Sequence, residues 1–269
     1  MIEDLVSNIR VAYARLWVRV KGGNREPHWI FTEVTVPVLT LSAYVYLYKM
    51  LSAPAEFAGF VVIGGTMMAF WSNVLWNMSA QFYWEKETGT LQMYLVAPIS
   101  RMAILLGMAL GGIVNTALRA AAILAVGIYV FQVPIFLRDP VVALLIFVLT
   151  IVALYALGML FASLFLMYGR EAWHTASLLQ EPVHFLSGFY FPVRYLPFLI
   201  QLVASAIPIT FGLDGIRRVI ISGETAADVL PHVAALVVFI AFLMPLAKLA
   251  LGYMENLGKK EGRLTLRWQ

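Results

Sequence analysis

Apolar residues run along this chain in long blocks, without the alternation of strands or the one-sided stripes of soluble helices. Six blocks reach or approach the roughly 20 residues that cross a bilayer: 29–51, 57–84, 102–131, 141–168, 174–191 and 229–254. A seventh, 196–211, is broken by Pro197 and Pro208 and runs into the charged Asp214-Gly215-Ile216-Arg217-Arg218. It predicts a re-entrant or surface hairpin over 192–222 instead of a span. Ahead of the first block, Ile2, Leu5, Ile9, Tyr13, Leu16, Trp17 and Val20 recur at helical spacing, with Arg10, Arg15 and Arg19 on other faces. That predicts an interfacial helix within 1–28. The whole pattern predicts an all-α polytopic membrane protein, one transmembrane domain over 1–269 with six spans and both termini on one side.

One polar island, 85–101, separates the second and third blocks. Glu85-Lys86-Glu87-Thr88-Gly89-Thr90-Leu91 leads through Pro98 to Arg101. So many polar groups between two apolar helices predict a loop in water. Thr88 or Thr90 is placed to cap a short helix, Leu91, Tyr94 and Leu95 share one face of it, and Pro98 stops it. A short amphipathic helix displayed between two spans suits docking onto a partner protein.

Composition narrows the class. Hydrophobic residues make up 61% and charged ones 13%, and the mean hydropathy is +0.83; a soluble domain is roughly 25% charged. Basic residues cluster on one side of the predicted spans: Arg10, Arg15, Arg19, Lys21 and Arg25, then Lys86 and Arg101, Arg170, and a 255–269 tail with Lys259, Lys260, Arg263 and Arg267. The other side has Lys49, Arg138, Arg194, Arg217 and Arg218. The termini and the island are therefore expected to be cytoplasmic. This asymmetry, facing anionic lipid, accounts for the net charge of +4 without a nucleic-acid partner. With no cysteine, disulfides and thiolate metal sites are excluded. The chain has no G-x-x-x-x-G-K-[ST], H-E-x-x-H or G-x-S-x-G; its four histidines are scattered and its aspartates isolated. No catalytic residue, metal or cofactor is expected within it.

Within the spans, polar residues fall in register. Asn73, Asn77 and Gln81 recur every four residues in the second block. They read equally as interhelical hydrogen bonders or as the lining of a translocation path. In the fifth block Ser177, Gln180, Glu181, His184 and Ser187 share an arc around Pro182, a face expected to meet protein or water. Glu181 and His184 supply only two metal ligands, too few for a site. Arg119 sits deep in the third block. Counting residues from the start of each helix places Glu181 within its reach and makes Glu33 the poorer partner, with backbone carbonyls as the alternative. Gly107 and Gly111 form a G-x-x-x-G that signals close helix approach. Trp71 and Trp76 lie too deep for an interfacial belt, and either pack in the core or touch substrate.

Three segments carry a family resemblance. Glu-Lys-Glu-x-Gly-Thr-Leu-Gln from Glu85, followed by Pro98-Ile99-Ser100-Arg101, resembles the cytoplasmic loop of type-2 ATP-binding-cassette exporter permeases. That family includes the membrane subunits of drug, nodulation-factor, O-antigen and teichoic-acid exporters. Leu179-Gln180-Glu181-Pro182, Phe185-Leu186-Ser187-Gly188, Phe191-Pro192 and Leu196-Pro197 are similar to a second block of the family. Pro208, Asp214, Gly215, Ile216 and Arg217 are similar to a third. The resemblance implies a connecting helix at the N-terminus and re-entrant helices before the last span. It also implies a coupling helix in the island, so that Glu85, Glu87, Gly89, Thr90, Leu91 and Tyr94 are expected to couple to an ATPase. Spans two and five would line the pathway of a homodimer bound to a separate ATP-binding-cassette subunit, which would hold the ATP and Mg. The chain would then be a non-catalytic permease of the inner membrane moving a lipid, drug or lipid-linked glycan. A membrane-embedded enzyme acting on a lipid, or a passive channel or scaffold, are the other classes open to such a sequence.

Overall fold

The computed structural model describes residues 2–25, 27–133, 138–168 and 170–262. The end of the expected tail, with Arg263 and Arg267, lies outside them, as do the side chains of Ile2, Trp29 and Arg170. Among the described residues there is no strand. The helices are α1 (Ile2–Gly23), α2 (Pro27–Met50), α3 (Glu56–Ser72), α4 (Gln81–Glu87), α5 (Leu91–Val96), α6 (Arg101–Tyr129), α7 (Pro140–Tyr168), α8 (Arg170–Leu186), α9 (Phe198–Ala204), α10 (Pro208–Ile220) and α11 (Leu230–Lys260). A π-helical segment, Asn73–Met78, joins α3 to α4, and a short 3-10 turn, Val193–Tyr195, precedes α9.

Five stretches are long and apolar enough to cross a membrane: Ile30–Met50, Glu56–Glu87, Arg101–Tyr129, Pro140–Tyr168 and Leu230–Lys260. The predicted fifth span is α8, 17 residues long and too polar to stand with them. Its ends nevertheless lie at opposite faces. Near its start, Trp173 packs on Trp84, at the α4 end of the second span. Just after it, the Tyr190 carbonyl accepts a hydrogen bond from the Tyr48 hydroxyl (3.0 Å) and its ring stacks on Tyr44, both near the far end of α2. Seventeen residues cover about 26 Å as a helix, enough for most of the crossing.

α9 and α10 together pass the same length and composition test but are bent by 102°. The turn before α9 lies beside the first turn of α3, where Tyr195 stacks on Phe57. Gly212 of α10 abuts Thr150 of α7, about 15 Å in from Pro140 by helical rise, and the helix then returns until Ile221 touches Gly59. Both arms thus end at one face, the geometry of a re-entrant hairpin, consistent with the two prolines.

α1 does not stand alone. It runs alongside the first half of α6 in the same direction: Asn8 accepts from the Ser100 amide (2.9 Å), and Asn115 donates to the Arg19 carbonyl (3.1 Å). Between these points Gly107 meets Ala12 and Arg15, and Gly111 meets Leu16 and Arg19. A side chain at either glycine would push the helices apart, so the G-x-x-x-G serves close approach. Arg15 and Arg19 consequently turn toward the protein, leaving Leu5, Ile9, Tyr13 and Trp17 as an exposed apolar stripe.

This packing overturns the expected partner of Arg119. Depth along the third block, counted from residue 102, misses the shift between α6 and α2: Asn115 lies beside Asn24 (3.1 Å), where the chain turns into α2. Arg119 is therefore one turn beyond the level at which α2 begins, and it pairs with Glu33. Glu181 is elsewhere, exposed, with an oxygen 3.7 Å from His184.

Candidate functional site

The polar island folds into an elbow of two short helices, α4 and α5, joined by Thr88-Gly89-Thr90. Gly89 has φ of +79°, a left-handed turn that glycine adopts without strain. Ala97 is extended ahead of Pro98, as the residue before a proline favours, and α6 restarts at Arg101. The predicted short helix and its proline stop are thus present. Its cap is different: the Thr90 carbonyl accepts from the Met93 amide (3.1 Å), but neither threonine hydroxyl bonds an α5 amide. The Thr90 hydroxyl instead donates to the Glu85 carboxylate, and Thr88 donates to the Trp84 carbonyl (2.9 Å).

The expectation that the island is solvated also fails at its start. Glu85 is 8% exposed, and Lys86 is likewise buried. Glu85 accepts from Arg15 of α1, from Gln81 one turn earlier (2.7 Å) and from Thr90. Arg15 also donates to the Tyr94 hydroxyl (2.6 Å) and lies over the Tyr94 ring (5.1 Å). Burial pushes the Tyr94 hydroxyl above its ordinary pKa, with Arg15 opposing, so the phenol stays neutral at physiological pH. The carboxylate thus satisfies its acceptor sites within the chain, as a buried charge must. Glu85 pins α1, α4 and α5 together, and Leu91 and Tyr94 face inward with it. The face left open carries Gln92, Met93 and Val96, the last two 71% and 87% exposed, while Glu87 is half-buried at the rim.

A second knot closes the elbow from the other side. Arg101 donates to the Leu95 carbonyl (3.0 Å) and to Glu255 near the end of α11 (3.1 Å), which also holds Lys259 (2.6 Å). α11 continues to Lys260, so residues 255–260 of the expected tail are helical and take part in this contact.

Above the elbow, the predicted polar stripe is divided among partners. Asn73, in the π-helical segment, accepts from the Tyr155 hydroxyl of α7 (3.0 Å); Gln81 serves Glu85; Asn77 is half-buried between them. The π turn widens the helix, so residues four apart no longer stack in one line. Trp71 lies in the core. Trp76 stacks on Trp173 (5.2 Å) and donates to Gln180 (2.6 Å), joining the π segment to α8.

The α8 arc is also divided. Gln180 bonds to Trp76, and His184 and Ser187 are buried. Ser177 and Glu181 point outward, the Glu181 side chain 79% exposed. Among the described residues no third ligand joins Glu181 and His184. Sequence reasoning missed Arg15, Met93, Val96 and Glu255. The first sat in a segment read as a separate surface helix, the next two carried no polar signal, and the last was assigned to a tail.

An elbow between the second and third spans, braced by an N-terminal helix, and a re-entrant hairpin before the last span are the features that the resemblance implied. The family described as ABC-2 type transporter matches residues 13–221. The chain belongs to that family. This ABC-2 protein is a multi-pass membrane subunit of an ABC transporter, and its relatives include proteins named as permeases. It is 26% identical over 241 residues to "Inner membrane transport permease YadH" of Escherichia coli (strain K12), covering 85% of this chain and 91% of that one. It is 36% identical over 98 residues to "Nodulation protein J" of Rhizobium leguminosarum bv. trifolii, 36% of this chain and 37% of that one. It is 28% identical over 137 residues to "Probable multidrug ABC transporter permease YbhR" of Escherichia coli (strain K12), 50% of this chain and 36% of that one.

Proposed function

We propose that this ABC-2 subunit is the permease of an inner-membrane exporter, docking an ATP-binding-cassette ATPase at the elbow, with both termini on the cytoplasmic side. ATP and Mg are held by that separate subunit, and the permease performs no chemistry. The observation that carries this reading is the two-sidedness of α5. Its inner face is tied down through Leu91, Tyr94 and the Arg15–Glu85 pair, while Met93 and Val96 stand open one turn apart. Two large apolar side chains at the tip of a rigid, braced elbow suit burial in a partner's groove.

Motion imposed on α5 has a physical route inward. The elbow is bonded to α4 through Glu85 and Thr90; α4 continues into the π segment; Trp76 there stacks on Trp173 and bonds Gln180 of α8. α8 is the better candidate for the pathway wall. Ser177 and Glu181 sit about midway along the crossing and face away from the protein, where an ionised carboxylate in hydrocarbon costs roughly 3 kcal/mol or more. Water, or a second copy of this chain across a water-filled path, removes that cost. A homodimer with paired α8 helices is the arrangement that follows, carrying an amphipathic cargo such as a lipid, drug or lipid-linked glycan along walls of mixed polarity.

The test is reconstitution of the permease with its cassette ATPase in proteoliposomes. Met93→Asp combined with Val96→Asp should lower the stimulated ATPase rate and cargo efflux about tenfold or more while leaving permease yield and melting temperature unchanged. Undiminished coupling in that variant would remove α5 as the docking element.

A further inference from the structure

At the face opposite the elbow, the re-entrant hairpin and the first turns of α3 and α11 enclose a polar basin with a cavity of about 360 Å³. Three of its lining side chains carry enclosed polar atoms without a hydrogen-bond partner: Arg217 Nε, His232 Nδ1 and Thr210 Oγ1. Arg217 is 3% exposed. Three of the four N–H groups on its terminal nitrogens go to the carbonyls of Gly188 (2.7 Å), Phe60 (2.7 Å) and Phe189 (2.8 Å), so its position is set by the fold and Nε is without a partner. Buried polar atoms left without partners beside a roomy cavity call for water or a ligand.

The charge pairing around the basin indicates what kind of ligand. Of its acids, Asp214 is bound by Arg218 (2.7 Å) and His232 (2.8 Å), and Glu224 by Arg218 (3.3 Å). Glu56, the remaining acid, is exposed at the rim, where water screens it. Of its arginines, only Arg218 makes an ion-pair contact with a carboxylate among the described residues, and Asp214 also acts on Arg217 electrostatically without touching it. Arg217 is held by carbonyls, and Arg194 lies over its neighbour's ring, Tyr195 (5.2 Å), with its guanidinium donors available. Two guanidinium groups and a hydroxyl thus border one cavity with acceptors still to be found, which suits a group with several negatively charged oxygens.

We propose that this basin binds a phosphate group, held by Arg194 and Thr210 against the fixed Arg217 Nε. The group comes either from the headgroup of a membrane phospholipid or from a phosphate-bearing soluble molecule. The site lies on the permease alone, away from the elbow, so its failure would leave the docking proposal standing.

Isothermal titration calorimetry on the full-length, detergent-solubilised permease tests it with three probes: inorganic phosphate, dihexanoyl phosphatidylglycerol, and dihexanoylglycerol as the phosphate-free control. Saturable binding of at least one phosphate probe, one per chain, with none for the control, is expected. Arg194→Gln and Thr210→Val should each weaken it about tenfold at unchanged melting temperature. Both avoid Arg217, whose loss would release three carbonyls and threaten folding. Binding of inorganic phosphate identifies a soluble source; binding of the phospholipid alone identifies a headgroup. No saturable binding by either phosphate probe, or equal binding by wild type and both variants, overturns the site.

Discussion

Arg119 and Glu33 pair because a brace helix, and not the bilayer, sets the level at which α6 meets α2. A guanidinium in a span is costly unless paired, and the brace brings the carboxylate to it. A double-mutant cycle on thermal stability in detergent should show a coupling of about 1 kcal/mol between Arg119→Ala and Glu33→Ala. The same cycle between Arg119 and Glu181 should be additive. Coupling to Glu181 instead would mean that α8 lies against α6 in the assembled protein. Gly89 is the other residue whose chemistry is fixed by its backbone. Its left-handed φ makes Gly89→Val cost about 1–2 kcal/mol at the α4–α5 turn. A lowered melting temperature and reduced ATPase stimulation are the expected pair of effects, and normal values for both would argue that the turn relaxes.

Elements show their logic through their two faces. On α5, Leu91→Asp places a carboxylate in the core and should cut the folded yield severely, whereas Met93→Asp should leave the yield intact and weaken only the response to the ATPase. If the two variants behaved alike, α5 would have no distinct docking face. The π-helical segment is the corresponding joint inside the span. It turns Trp76 toward α8, and Trp76→Ala removes both a stacking contact and the hydrogen bond to Gln180. Retained ATPase stimulation with lost efflux would place the break between docking and the pathway; retained efflux would exclude Trp76 from the route.

At the scale of the whole molecule, and among the described residues, α2, α6 and α11 present lipid-compatible faces, and the outer side of α8 does not. Since the chain has no cysteine, single cysteines report cleanly on this difference. Glu181→Cys should react with a membrane-impermeant maleimide in the assembled transporter, while Phe242→Cys, on the exposed apolar face of α11, should resist it. Equal protection of both would place α8 against protein or lipid and not along a water-filled path.

The number, order and class of the elements were legible in the sequence because hydrocarbon imposes a length and polarity rule on each span separately. Five of the six predicted spans, the re-entrant hairpin at Pro197 and Pro208, the short helix ended by Pro98 and the close-approach glycines Gly107 and Gly111 all follow from local pattern; α8 is too short and polar to pass the same rule. Partner choice does not. That Glu85 is buried against Arg15, that Arg119 meets Glu33, and that Gln180 is bonded to Trp76 while its neighbour Glu181 is exposed depended on how α1 lies along α6 and how a π turn re-aims the second span. A polar residue in a span announces only that it needs a partner. Which group satisfies it is decided by the relative shift and rotation of whole helices, a property of the packed structure that no local spacing encodes.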